Sequence, residues 1–441
     1  MHPPVPRRLP CLDDQRGAPV ELGGSGARVQ AFAGESVAAA LFAGGERVLG
    51  RSLKYHRPRS FFCLDGHCSG CLVRIGGVPN LRACQIACAP GLEVDAQNAY
   101  PSADLDLLGA VDFMFPRGMD HHSLMTGSKV LNLVANKVVR QLSGLGTLPA
   151  RTAEPAPPAE LVDADVIVVG AGPAGLAAAT TAAAAGAKVV LVDEQPRPGG
   201  SLRVDPRTGP AEVARRVAAA VAAGATLRSS HTVVGWFPEQ GERGVAIAAS
   251  PSALTRLTAR AWVWATGSYA VNVPVPDNDR PGVFAARAVG RLLVDHAILA
   301  GDRICMIEEP AMADDAAALA GALAAAGATV ERVAAAEVTA VRGRGWVKAV
   351  VAGGRKIACD AVAVAAVPSP ASEGPRQHGC EVVLDPARGG FAVIADERGA
   401  TRVPGVFACG DVCGYAGIAA ATAAGARAGE AATAYLRGGT S

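Results

Sequence analysis

The run Gly170-Ala171-Gly172-Pro173-Ala174-Gly175 limits the fold more than any other feature of this chain, because of what flanks it. Asp163 to Val169 reads as a buried strand, Ala174 to Ala185 as an Ala-rich helix, and Lys188 to Val192 as a second strand. Strand, glycine turn, helix and strand make one βαβ unit of a parallel sheet. In such a unit Gly170 permits the turn, Gly172 lets a pyrophosphate approach the backbone, and Gly175 lets the helix pack closely. Asp193 lies eighteen residues after Gly175, at the end of the second strand, where a carboxylate accepts from ribose hydroxyls; Glu194 is a neighbouring candidate. A glycine loop used only for packing does not account for an acid at that spacing.

A second unit of similar length spans Ile304 to Ile307, Asp314 to Ala325 and Thr329 to Val333, so two doubly wound lobes are expected. Its strand runs into Glu308-Glu309-Pro310-Ala311-Met312-Ala313 with no glycine. Side chains there block a phosphate, and two carboxylates repel one at a helix N-terminus that otherwise favours anions. This lobe is expected to keep the fold and to have lost an NAD(P)H site.

Upstream, cysteines fall as Cys63-x4-Cys68-x2-Cys71, with twelve residues more to Cys84. Three thiolates on one loop and a fourth across a hairpin can grip both irons of a [2Fe–2S] centre, and the first three spacings are those of plant-type ferredoxins. Gly66 and Gly70 are expected to let the backbone approach inorganic sulfide. Zinc sites use two paired-cysteine knuckles, which one x4/x2 triplet does not supply. Cys88 is an alternative fourth ligand; spacing favours Cys84. The surrounding pattern, a strand to Phe32, a turn and cap at Gly34-Glu35-Ser36, a helix over Val37 to Phe42, a hairpin arm Leu72 to Ile75 turning at Gly76-Gly77 and a closing strand Leu92 to Val94, suits a β-grasp domain. Cys409 and Cys413, spaced x3, do not form the x2 pair of thiol oxidoreductases. They read as buried structural cysteines, as do Cys11, Cys305, Cys359 and Cys380.

The fold class is therefore a β-grasp [2Fe–2S] domain (1–104), a helical and Pro-rich connector (105–160), a dinucleotide lobe (161–297 and 389–441) and a degenerate second lobe (298–388). Forty-two basic against 40 acidic residues leave +2 overall, no field of the kind that draws nucleic acid. No signal-peptide pattern or membrane-spanning run is read, and eleven cysteines without an export signal fit reduced thiols in the cytoplasm.

Arg51-Ser52-Leu53-Lys54-Tyr55-His56-Arg57-Pro58-Arg59, the cysteine loop, Gly144-Leu145-Gly146 and Asp277-Asn278-Asp279-Arg280-Pro281-Gly282-Val283 together resemble the α subunits of heteromeric sarcosine oxidases, and the related opine oxidases, hydroxyproline dehydrogenases and hydrogen cyanide synthases. The resemblance runs from about residue 20 onward. It implies a two-dinucleotide-binding-domain flavoprotein with FAD in the first lobe, near Ala265-Thr266-Gly267 and near Gly410-Asp411, whose acid lies at the ribityl chain. The candidate cofactor-binding set is Gly170, Gly172, Pro173, Ala174, Gly175, Asp193, Glu194, Gln195, Gly200, Ser201, Thr266, Gly267, Gly410 and Asp411, with Cys63, Cys68, Cys71 and Cys84 for the metal cluster. It also implies a partner β subunit, related to D-amino-acid oxidases and FAD-dependent, that oxidises an amine or amino acid. This chain would pass the electrons from FAD through the cluster to a quinone or electron-transfer protein. It names no catalytic side chain. Alternatives are NAD or ATP held structurally with FMN at a subunit interface, and an NAD(P)H-dependent reductase. The chain departs from the family where it stops, at Ser441, so folate chemistry is not expected, and where Met119-Asp120-His121-His122 follows Phe115-Pro116-Arg117-Gly118.

Overall fold

The computed structural model describes residues 8–10, 16–24, 28–53, 55–110, 112, 128–142, 159–238 and 244–438. Cys11, residues 115–122, Gly144-Leu145-Gly146 and the linker prolines lie outside them. The chain forms two compact units, Met1–Thr152 with Asn272–Glu308 and Ala320–Val364, and Ala153–Val271 with Glu309–Leu319 and Ala365–Ser441.

In the first unit, strands Pro19–Leu22 and Val29–Phe32 pair antiparallel. The helix Val37–Ala43 follows, capped by Ser36, whose Oγ accepts from the Ala39 N–H. Leu72–Ile75 is the middle strand of three, between Val78–Arg82 and Val94–Ala96. Its turn needs positive φ at both central residues, which Gly76 and Gly77 supply at 56° and 83°. The closing strand begins two residues later than the sequence pattern places it, because Val94 is the residue that pairs with Ile75.

Phe42, Phe61 and Phe284 are fully buried together. Phe61 stacks on Phe284 with centroids 5.0 Å apart, and Phe42 meets both edge-on at 5.3 and 5.5 Å. Each ring contributes about 2–3 kcal/mol by burial. Residue 61 leads into the cysteine loop, so this cluster anchors that loop to the strand Val283–Ala285. That strand pairs in parallel with Ala361–Ala365, in a four-stranded sheet with Arg303–Glu308 and Thr329–Ala334.

The second unit is built on a seven-stranded sheet. Glu160–Val169 is flanked in parallel by Val189–Val192 and by Leu254–Trp264, which in turn pairs in parallel with Val406–Ala408. The helices Pro173–Ala184 and Ile418–Leu436 cross so tightly that a Cβ at Gly425 would lie 2.0 Å from the Ala174 carbonyl oxygen. Their alanine-rich sequences make that approach possible. No helix among the described residues is long and apolar enough to cross a membrane.

The other face of this sheet buries Trp262 and Trp264 around His378, which is 7% exposed. His378 stacks on Trp236 with centroids 4.1 Å apart, and its Nδ1 accepts from Trp264 Nε1–H at 3.1 Å. Burial pushes this imidazole down from 6.5 to about 4, and protonating Nδ1 would also eject the Trp264 donor. The neutral ring is the one the fold holds. Its contribution, on the order of 3 kcal/mol, is complete above about pH 6.5 and lost as pH falls toward 4. Urea unfolding between pH 7 and 4.5 is expected to show this loss in the natural protein and a shallower one in His378→Phe; equal slopes would refute the assignment.

Candidate functional site

The cysteine loop turns sharply after Cys63: Leu64 and Gly66 both adopt positive φ, at 51° and 85°. Cys63 and Cys71 are buried, and Cys68 and Cys84 half-buried. The four thiols influence one another mainly as two neighbouring pairs, Cys63 with Cys68 and Cys71 with Cys84. Cys63 as neighbour lowers Cys68 and Cys84 as neighbour lowers Cys71, while Cys63 and Cys84 are raised in return. Backbone N–H groups of Asp65 and Cys68 point at Cys63 Sγ, 3.4 and 3.3 Å away. Further backbone hydrogen bonds reach Cys68 from Gly70 and Cys84 from Gly66. Two sulfur pairs with amides turned toward them fit a two-iron, two-sulfide group, one pair to each iron.

Cys88 stands elsewhere. Its N–H donates to the Glu35 carbonyl at 2.7 Å, and burial and the nearby Glu35 carboxylate push its thiol up to about 12. The loop's own packing and conformation also ask for glycine at both positions. A Cβ at Gly70 would lie 2.2 Å from the Ser60 carbonyl oxygen, and one at Gly66 would lie 2.3 Å from the Gln85 side chain. At Gly70 the contact is with backbone, and at Gly66 the φ of 85° adds a conformational reason.

In the second unit the turn after Glu160–Val169 puts Gly170 at φ 102°, where a Cβ would lie 2.3 Å from the Ala265 carbonyl oxygen. Gly175 is equally constrained, with a Cβ 1.7 Å from the Gly170 carbonyl oxygen. Gly172 is different: a Cβ there would meet only Gly200 Cα, at 4.0 Å. The fold leaves that space open beside a helix whose N-terminus has Pro173 in its first turn and no side-chain cap. That is the geometry of an anion cradle. Gly199 N–H donates to the Ala171 carbonyl at 2.9 Å, which lays Gly200 and Ser201 along the loop.

Asp193 is 9% exposed. Its carboxylate accepts from the Ala171 N–H and from the Gln195 N–H, the latter at 2.8 Å, so the acid is held against the glycine loop before any ribose arrives. Glu194 accepts from the Gln195 side chain at 3.4 Å. Thr266 spends its hydroxyl on the Ala371 carbonyl at 2.7 Å, and Gly267 makes the following turn at φ 74°. Gly410 abuts Ala174, and Asp411 accepts from Ser268 Oγ at 2.8 Å, an orienting partner that no local pattern marked. Asp411 also lines a cavity of about 330 Å³ with Arg388, Tyr415 and Arg427. An open cradle, a pre-held buried acid and a second acid across the strand ends fit FAD.

The second lobe has its carboxylates engaged. Glu308 pairs with both Nε and Nη2 of Arg332, at 2.8 and 2.9 Å, across the ends of neighbouring strands. Glu309 Oε2 accepts from the Val367 N–H at 2.7 Å. Cys305 and Cys359 are buried thiols pushed up to about 12 by burial, Cys413, expected buried, is half-buried and is pushed up to about 12 by the same cause, and buried Cys380 and Cys409 are likewise raised.

Residues 164–296 and 294–428 match the pyridine nucleotide-disulphide oxidoreductase family. The chain belongs to that family. Residues 17–99 match the 2Fe-2S iron-sulfur cluster binding domain, so this oxidoreductase is a flavoprotein whose cofactors are FAD and a [2Fe–2S] cluster. It is homologous to the sarcosine oxidase α subunit of Rhizobium meliloti (strain 1021), at 32% identity over 311 residues, 65% of this chain and 31% of that protein. The hydrogen cyanide synthase subunit HcnA of Pseudomonas aeruginosa is 40% identical over 74 residues, 17% of this chain and 70% of that one. This chain therefore spans about a third of the length of the sarcosine oxidase relative and most of the small subunit. The L-proline dehydrogenase from P. horikoshii shares the fold, with a TM-score of 0.73 at 19% identity, over 98% of this chain and 75% of that one.

Proposed function

We propose that this chain is the α-type electron-transfer subunit of a heteromeric, flavin-dependent amine or amino-acid dehydrogenase or oxidase acting on a CH–NH bond. A D-amino-acid-oxidase-like β subunit would oxidise the substrate, and a quinone or electron-transfer protein would accept the electrons. FAD supplies the exchange between two-electron and one-electron chemistry, and the cluster the one-electron step. The chain's own residues hold these groups: Gly170, Gly172 and Gly175 with Asp193 and Asp411 for the flavin nucleotide, and Cys63, Cys68, Cys71 and Cys84 for the irons.

The observation that carries this reading is the engagement of Glu308 by Arg332 where a nicotinamide nucleotide would need a glycine turn. With that entrance closed, electrons come from a partner. Two further facts support it. The relatives carry the names of subunits. The helix Lys129–Leu142 exposes Val130, Leu131, Leu133 and Val134 on the surface of this chain, apolar area of the kind that partners cover. A cytoplasmic setting, which keeps thiols reduced for cluster assembly, is consistent with it.

The test is an anaerobic purification of the full chain, with the released nucleotide identified by chromatography and the holoprotein titrated with dithionite and with NADPH. FAD is expected, bleached by dithionite and left coloured by NADPH on the same time scale. Rapid complete bleaching by NADPH would make the chain a reductase, and a colourless protein would end the electron-relay reading.

A further inference from the structure

The helix Ala286–His296 carries Arg291 to the cysteine loop. Its Nη2 lies 2.6 Å from Asp65 Oδ1, and its side chain is only 12% exposed. Asp65 sits between Cys63 and Cys68 in the chain, and its other oxygen is 4.0 Å from His67 Nε2. The carboxylates of Asp65 and Asp295 act most strongly on the guanidinium, followed by Cys84 and Cys63 of the cysteine set. Arg291 Nε is a buried donor without a hydrogen-bond partner among the described residues. A second tie holds this segment in place: the Ala285 N–H donates to the Phe62 carbonyl at 2.9 Å, one residue ahead of Cys63.

A buried, always-charged guanidinium is costly unless something nearby is negative. Asp65, bonded through one nitrogen, and Asp295 on the same helix supply negative charge, and the Nε–H is left without a hydrogen-bond partner among the described residues. Four thiolates with two ferric irons and two sulfides carry about −2, and one-electron reduction makes this about −3. No proton is needed for that step, and on the proposed function a bound flavin would supply the electron. A fixed cation beside the loop stabilises the more negative state more strongly, and low local dielectric enlarges the difference.

We propose that Arg291 is a positioning residue that sets the reduction potential of the group held by Cys63, Cys68, Cys71 and Cys84, through its fixed charge and its unpartnered Nε–H. This rests on the reading of those cysteines as the [2Fe–2S] ligands. Asp65 works against it as a counter-charge, so the pair fixes the potential between two limits.

The experiment is a dithionite potentiometric titration of the anaerobically purified full chain, followed by electron paramagnetic resonance, with iron and labile sulfide measured in every sample. In Arg291→Gln the reduction equilibrium is expected to weaken about tenfold, a midpoint about 59 mV lower for one electron. Arg291→Lys, which restores charge without the planar fork, is expected to fall between. Asp65→Asn, which removes the nearest counter-charge and leaves Asp295, is expected to move the midpoint up; it also keeps the test decisive when Arg291→Gln fails to retain iron. Loaded variants with the natural midpoint would overturn the role of Arg291 alone. A natural protein without iron and sulfide would overturn the cluster reading, and this inference with it.

Discussion

Cys84→Ala is expected to strip the anaerobically purified chain of its cluster, iron and labile sulfide falling from about two each per chain to background, while Cys88→Ala keeps both. The two cysteines stand four residues apart in the sequence, and either could close the set by spacing alone. Their surroundings separate them. Cys84 acts on and is acted on by Cys71 and also feels Cys63, so it belongs to the group of four sulfurs. Cys88 is buried beside Glu35, itself paired with Arg8 Nη1 at 2.7 Å. Moving Cys88 to the irons would mean dragging it out of that pocket and breaking its N–H bond to the Glu35 carbonyl. Cys88→Ala removes one buried sulfur, at about 1 kcal/mol of stability, and leaves all four ligands. Iron and sulfide analysis with visible spectra decides the matter: a loaded Cys84→Ala beside an empty Cys88→Ala would reassign the fourth ligand.

What the sequence made legible was local, and the reasons are physical. The cysteine loop and the glycine turn are read from spacing because a short loop has few ways to converge three thiols, and a tight strand-to-helix turn has few residues that tolerate it. The strand and helix of the first βαβ unit followed for the same reason, with the structure setting them at Glu160–Val169 and Pro173–Ala184. Contacts across long stretches of chain left no such trace. Arg291 reaches Asp65 over 226 residues, and Ser268 reaches Asp411 over 143. Nothing in either neighbourhood distinguishes these side chains from solvated polar ones. The same holds for Val283–Ala285, whose parallel partner at 362–364 decides which sheet it joins. Glu308 lies between these cases: the missing glycine was visible, and Arg332 as its partner was not.

Gly172→Ala is expected to fold normally and to bind FAD at least about 100-fold more weakly, a loss of about 3 kcal/mol. The contrast with Gly175→Ala makes the result diagnostic. A Cβ at residue 175 would lie 1.7 Å from the Gly170 carbonyl oxygen and 2.9 Å from its carbon, so the turn and the helix must separate whether or not a ligand is present. That variant is expected to lose about 1–3 kcal/mol of stability or more, seen as a lowered thermal midpoint of the apoprotein. At residue 172 the added methyl meets nothing nearer than Gly200 Cα at 4.0 Å, so the apoprotein has no reason to change. The methyl instead occupies the space in front of the uncapped helix N-terminus, where a pyrophosphate would come within hydrogen-bonding distance of the backbone. The penalty at residue 172 is therefore a binding penalty, and the penalty at residue 175 a folding one. Calorimetric unfolding of the two apoproteins, with FAD titration of each folded variant, separates them. Natural FAD affinity in Gly172→Ala would mean that the nucleotide lies somewhere other than this cradle.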